Sequence, residues 1–294
     1  MRKQFTQFAP LLASVLALGC GGKTDSRLDT EPPPKTYPNV GARFDANATG
    51  TVRGKVTWTG DVPAPPKLQA SIPQPPGYRH TELPNPFAPQ IHPQNRGLFE
   101  AVVFLEGIDP ELAKPSPASA VLLEMADYRF RFQRPDGSNR RSAFVPRGGE
   151  VEFVNRDPIH HTLRARGASF FALPFPEPDK LLRREFDTPG LVELTSGSGY
   201  HWAAADLYVC EHPYYVLTAD DGSFELPAVP AGSYTLVVRV RNWNTHGRER
   251  DPESGLTFRL LFAPALENRV PATVATGTTS TTNVSVASSD FPVR

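Results

Sequence analysis

The residues with the most chemistry in them are histidines close behind a turn. The run Glu150-Val-Glu-Phe-Val-Asn155-Arg-Asp157-Pro-Ile-His160-His161 ends in two imidazoles, and Gly197-Ser-Gly-Tyr200-His201-Trp-Ala-Ala204 supplies a third. Imidazole suits zinc, copper and other transition metals. Neighbouring side chains of a strand point to opposite faces, so His160 and His161 are not expected to serve one ion together. Cys210-Glu211-His212 offers a second pairing, with Cys210 and His212 on one strand face. A cysteine in an apolar stretch of this kind reads first as a small buried side chain. No Gly-x-Ser-x-Gly, Walker-type loop, His-Glu-x-x-His or Cys-x-x-Cys pattern occurs, and the carboxylates are too scattered to nominate an acid–base pair. The expectation is a protein that is not an enzyme.

The elements that must position these histidines are strands. Val151, Phe153 and Asn155 alternate with polar neighbours as a half-buried strand does, and Asp157-Pro158 turns the chain. A strand ending in Asn-x-Asp, then a His, then a later loop, resembles the cupredoxin (plastocyanin-like) pattern. There a Cys-x-x-His-x-x-Met loop completes a mononuclear copper site. The resemblance implies His161, with His160 as the alternative, at the first ligand position. Ser198, His201 and Ala204 keep the loop spacing; shifted by one residue, the same positions fall on Gly197, Tyr200 and Ala203. Either register lacks both thiolate and thioether. Blue-copper electron transfer depends on a short copper–thiolate bond with two imidazoles. The site therefore reads as degenerate and no cofactor is expected. Copper held by His161, His201 and a further ligand is the alternative.

A second motif lies past the loop. Thr218-Ala-Asp-Asp221-Gly222-Ser-Phe224-Glu-Leu226 runs on to Val229-Pro230-Ala-Gly232-Ser-Tyr234-Thr-Leu236. Asp221-Gly222 makes a tight turn, Phe224 and Leu226 alternate inward, Pro230-Ala-Gly232 reverses the chain, and Tyr234 and Leu236 return to the same core. The pattern is similar to carboxypeptidase-regulatory-like (transthyretin-like) sandwiches. Gly50-Thr-Val52-Arg-Gly54-Lys-Val56-Thr-Trp58 is similar to the opening strand of that sandwich. The implied organisation is all-β. A sandwich made of 50–60 and 206–288 receives a cupredoxin-like Greek-key domain at 97–205, after a Pro-rich irregular connection at 61–96. His212-Pro-Tyr214 is read as a structural joint between the two. Asn242 to Asp251, with Trp243, is read as a solvated connection. The sandwich fold and an exposed Trp243 also suggest a carbohydrate-binding accessory module as a weaker alternative.

The amino terminus points to export. Arg2 and Lys3, the apolar stretch Phe8 to Leu18, and Leu16-Ala-Leu-Gly-Cys20 describe a signal segment too short to span a bilayer. Cys20 after Ala-Leu-Gly resembles a bacterial lipobox, which implies a lipidated Cys20 as the first mature residue. Gly21 in place of Asp favours the outer membrane. Residues 21–49 are polar and Pro-rich, as a mobile tether is. The 32 prolines and 22 glycines imply many turns, and 31 basic against 31 acidic residues give no electrostatic case for nucleic acid. The whole reads as an envelope protein held to the membrane by lipid, acting as a non-catalytic binding or structural module. Its partner would be another envelope protein or a glycan.

Overall fold

In the strand Thr49–Thr59 every second residue is buried: Gly50, Val52, Gly54, Val56 and Trp58. The valines and Trp58 face a core, and the glycines mark where other backbone lies against the strand. A Cβ on Gly50 would stand 2.5 Å from the Ala275 carbonyl oxygen, and one on Gly54 only 1.7 Å from that of Thr282. The structure, a computed structural model, describes residues 40–116, 121–175, 177–250, 252–253, 255 and 257–291. The signal segment, Cys20 and most of the tether lie outside the described residues.

Thr49–Thr59 pairs antiparallel with Ser223–Pro230 on one side, and parallel with Thr279–Thr281 and then Val284–Ala287 on the other. A second sheet runs in the order Tyr215–Leu217, Val102–Glu106, Gly232–Val240, Leu266–Val274. Val52, Val56, Trp58, Phe224 and Leu226 from the first sheet pack with Val103, Leu105, Leu236 and Val238 from the second. The stretch 97–106 thus belongs to this sandwich and not to the inserted one, because Val102–Glu106 is an inner strand of its second sheet.

The insertion forms two five-stranded sheets. One is ordered Ser142–Pro146, Ala204–Cys210, Gly190–Ser196, His161–Gly167, Phe171–Phe175; the other Leu182–Phe186, Gly149–Asn155, Val121–Ala126, Arg129–Gln133, Asn139–Arg140. Leu123, Phe132, Val151, Phe153, Leu163, Leu194 and Leu207 fill the space between them.

Two connections are more ordered than their composition suggests. Within 61–96, Leu68–Gln74 and Gly77–Leu83 form a hairpin whose Ala70 and Ile72 join the inserted core. Prolines at both ends mask a short alternating strand. Beyond Trp243, Thr245–Arg250 and Thr257–Phe262 form another hairpin. Trp243 itself is not exposed: it packs against Trp58 at 5.8 Å and Phe291 at 4.5 Å inside the first core. The aromatic that would have served glycan binding there is taken up by packing.

The described residues form one compact unit, and the joint between the sandwiches is a third layer of contacts. Val102, Phe104, Leu217 and Tyr215 from one sandwich meet Tyr208, Cys210, Phe144 and Leu191 from the other. Ala204–Cys210 lies between two cores, so all seven of its residues are buried, not every second one.

Candidate functional site

The turn after Gly149–Asn155 is tied by its own side chains. Asn155 accepts from the Asp157 amide at 2.9 Å and donates to the Ile159 carbonyl at 2.8 Å. Asp157 accepts three hydrogen bonds, from the amides of Asp127 and Tyr128 at 2.8 and 3.0 Å and from His161 Nε2 at 2.9 Å. Asp127 and Tyr128 both have positive φ, 51° and 60°, so the carboxylate braces a tight turn that L-residues adopt reluctantly.

His161 is fully buried. Burial lowers its pKa and Asp157 opposes that without overcoming it, so the ring is held neutral. With Nε2–H directed at Asp157, Nδ1 is a bare lone pair, buried and without a partner among the described residues. Tyr128 and Tyr200 close over the ring at 5.8 and 5.2 Å between centroids and stand 5.1 Å from each other. Burial, then Tyr128, pushes the Tyr200 phenol up to about 12.

The loop positions separate. Ser198 Oγ accepts from the Thr162 amide at 2.8 Å, and a Cβ on Gly197 would meet Thr162 and Arg164, which alternate away from His161. Ala203 and Ala204 enter the two cores. Trp202 is pinned by a hydrogen bond from Nε1 to the Tyr128 carbonyl at 2.9 Å. His201 turns to the other side of the loop, stacked edge-on against Trp202 at 5.1 Å. Its ring faces main-chain groups of Thr257, Gln69 and Gly199, but burial prevails and lowers its pKa. His161 therefore meets Tyr200, not His201. His160 is exposed, 3.2 Å from Thr162 Oγ1. Among the described residues no three of His, Cys, Asp and Glu converge as metal ligands. One imidazole lone pair beside two phenols does not match the donor set of a blue-copper centre.

On the outer side of the same loop lies a cleft of about 520 Å³ that sequence reading missed. Tyr78, His80, Tyr200, His201, Arg248 and Arg250 are its most chemically distinctive walls. They come from three segments remote in sequence. The one available signal was the polar run after Trp243.

Cys210 is buried, and burial pushes its thiol pKa up, so it is an inert small side chain. His212 is buried and its pKa is driven down to about 4 by desolvation. Tyr214 serves the first sandwich alone, buried in its core, donating to the Ala228 carbonyl at 2.6 Å and accepting from the Lys114 amide at 3.0 Å. Between the sandwiches Arg241 pairs with Glu193 at 2.8 Å and with Asp206 at 3.5 Å, and Arg259 reaches Glu193 at 3.0 Å. Burial pulls Glu193 upward, yet the two arginines outweigh it and hold its pKa low. Asp206 is raised by burial despite Arg241.

No protein-family model matches the chain, and no curated protein matches it. Solved structures similar to part of it include the copper-containing nitrite reductase of Thermus scotoductus SA-01, at 21% identity and a TM-score of 0.26 over 33% of this chain and 24% of that one. A point mutant of amicyanin in its Cu(I) form is 15% identical over 31% of this chain and 82% of its own, with a TM-score of 0.25. A purple cupredoxin from Nitrosopumilus maritimus is 16% identical over 31% of this chain and 99% of its own, with a TM-score of 0.24. The described residues are all-β by their own strands, and about a third of the chain is distantly similar to these cupredoxins.

Proposed function

We propose that this chain is an exported, lipid-anchored envelope protein acting as a non-catalytic binding or structural module. In this reading a cupredoxin-like sandwich with a degenerate copper site is carried by a carboxypeptidase-regulatory-like one. One observation carries it: the ring of His161 is walled by Tyr128 and Tyr200 and bonded to Asp157. The phenol rings of Tyr128 and Tyr200 stand beside this imidazole, and the loop from Gly197 to Ala204 carries no cysteine, which supports the degenerate-site reading. Lipidation of Cys20, attachment to the outer membrane in preference to the inner, and a protein or glycan partner in the envelope rest on the amino-terminal sequence and the neutral charge.

The copper-binding alternative has one observation in its favour, the partnerless Nδ1 of His161. Adding Cu(II) to the full chain and recording optical and EPR spectra separates the two readings. The expected result is no intense thiolate-to-copper absorption. A strong blue band at about one copper per chain would overturn the module reading, because that band needs a thiolate ligand.

A further inference from the structure

The cleft beside the loop is built by strand alternation. On Leu68–Gln74, Ala70 and Ile72 face the core while Gln69, Ser71 and Pro73 face the cleft. Across the hairpin, Tyr78 and His80 pair with Pro73 and Ser71 and so lie on the same face. On Thr245–Arg250, Arg248 and Arg250 line the cleft, whereas Glu249 turns away to Arg259 at 3.0 Å. The floor is Ser198 to Trp202.

The chemistry of these walls is one-sided. No carboxylate is among the described lining residues. Glu82, next on the hairpin face, lies off the lining and is occupied by Gln69 at 3.0 Å and Lys67 at 3.7 Å. The Arg248 side chain is exposed and makes no hydrogen bond or ion pair with the described residues, and neither does the Tyr200 hydroxyl. Tyr78 is 67% exposed, an aromatic face left to solvent beside two guanidinium groups.

We propose that this cleft binds a carboxylate-bearing saccharide, an inference that rests on the binding-module reading above. The volume suits one to a few sugar rings. The face of Tyr78 takes the apolar face of a ring. Gln69, whose Nε2 is taken by Glu82, keeps its amide oxygen for a hydroxyl; Ser71 and His80, bonded to each other at 2.9 Å, offer the capacity that bond leaves, and Thr257 adds a hydroxyl. Arg248 takes the carboxylate, for which its planar fork is matched. Being open, the cleft admits an internal unit or an end of a longer chain.

The test is calorimetric titration of the full chain with trisaccharides carrying galacturonate, glucuronate, N-acetylmuramate or sialate, each beside its methyl ester. Esterification keeps the ring and removes the charge. At least one acid should bind ten-fold or more tightly than its ester. Arg248→Ala and Tyr78→Ala should each weaken that binding ten-fold or more without moving the melting temperature, since both side chains are exposed. Arg53→Ala, exposed on the other sandwich, should leave binding unchanged. Binding to none of the acids, equal binding of acid and ester, or undiminished binding by both cleft variants overturns the proposal. A blank titration removes the saccharide and leaves the module reading standing; a blue copper protein removes the module reading and leaves the titration untouched.

Discussion

At the scale of single residues, Asp157 carries the most structural duty. It accepts from two turn amides and from His161, all at a largely buried position. Asp157→Ala leaves three donors without an acceptor. At about 1–3 kcal/mol for a buried unsatisfied group, the loss should reach about 3 kcal/mol in urea unfolding. A loss under about 0.5 kcal/mol, the range of ordinary surface substitutions, would show that the turn does not depend on this carboxylate. The histidines give a second expectation. His161, His201 and His212 all have pKa values lowered by burial. Their folded forms are neutral, while the unfolded chain takes up protons first, near pH 6.5. Stability is therefore fully present above that value and falls as pH drops toward about 4, the value for His212. Asp206 works in the opposite direction, because burial raises its pKa. The clean readout is thus a difference: His212→Gln should flatten the slope of stability against pH between about 6.5 and 4.5. An unchanged slope would mean that this imidazole takes up a proton without cost to the fold.

At the scale of elements, the strand Thr49–Thr59 is the one most fully legible in the sequence. Its alternation of Gly and Val predicts a half-buried strand, and the structure adds why two of the inward positions are glycine: the chain at Ala275 and Thr282 passes where a Cβ would be. Gly54→Ala sets a methyl group against a backbone carbonyl that cannot rotate away. It should cost about 3 kcal/mol or more, whereas Thr51→Ala, only half-buried, should cost far less; equal melting temperatures would refute the close approach. Other elements hide their logic. The hairpin Leu68–Leu83 sits among prolines, so its short alternation is lost in a turn-like composition. Trp243 reads as part of a polar loop because the rings it joins, Trp58 and Phe291, are remote in sequence. The cleft is harder still, since no one segment holds more than one wall of it. In the site itself, the missing thiolate could be read directly, but the opposed directions of Tyr200 and His201 could not, because the loop fits either register. Asp206 inside the apolar run Ala204–Cys210 was a visible clue to the joint. Its partner Arg241 lies on a different sandwich. Arg241→Ala leaves Asp206 without its counter-charge and Glu193 with Arg259 alone, and should destabilise by about 3–5 kcal/mol, while Arg241→Met, which fills the space, should cost less if Asp206 is also made neutral. The difference between the two backgrounds in a double-mutant cycle measures it.

For the whole molecule, the stacking of four sheets with a packed joint predicts a single unfolding transition. Scanning calorimetry that resolved two would mean the joint is not cooperative with the cores. The proposed anchor yields a separate expectation. Cys20→Ser should release the chain from membranes and leave its melting temperature unchanged. Each buried methylene of an acyl chain contributes about 0.8 kcal/mol, and a chain with 31 basic and 31 acidic residues has no general attraction to anionic lipid to replace it. Variant protein that still sediments with membranes after a high-salt wash would count against the anchor.

The pairing of Thr49–Thr59 with Ser223–Pro230 has a consequence in time. The first strand of the fold leaves the ribosome long before the strands it pairs with exist. Until Ser223–Pro230 has emerged, Val52, Val56 and Trp58 have no sheet to join, while the inserted sandwich has all of its own strands by Cys210. The insertion can thus condense first and bring the two halves of its host together, shortening the loop that the host must close. Through that interval the nascent chain carries a bare apolar strand, the kind of transiently exposed, unpaired edge on which aggregation starts.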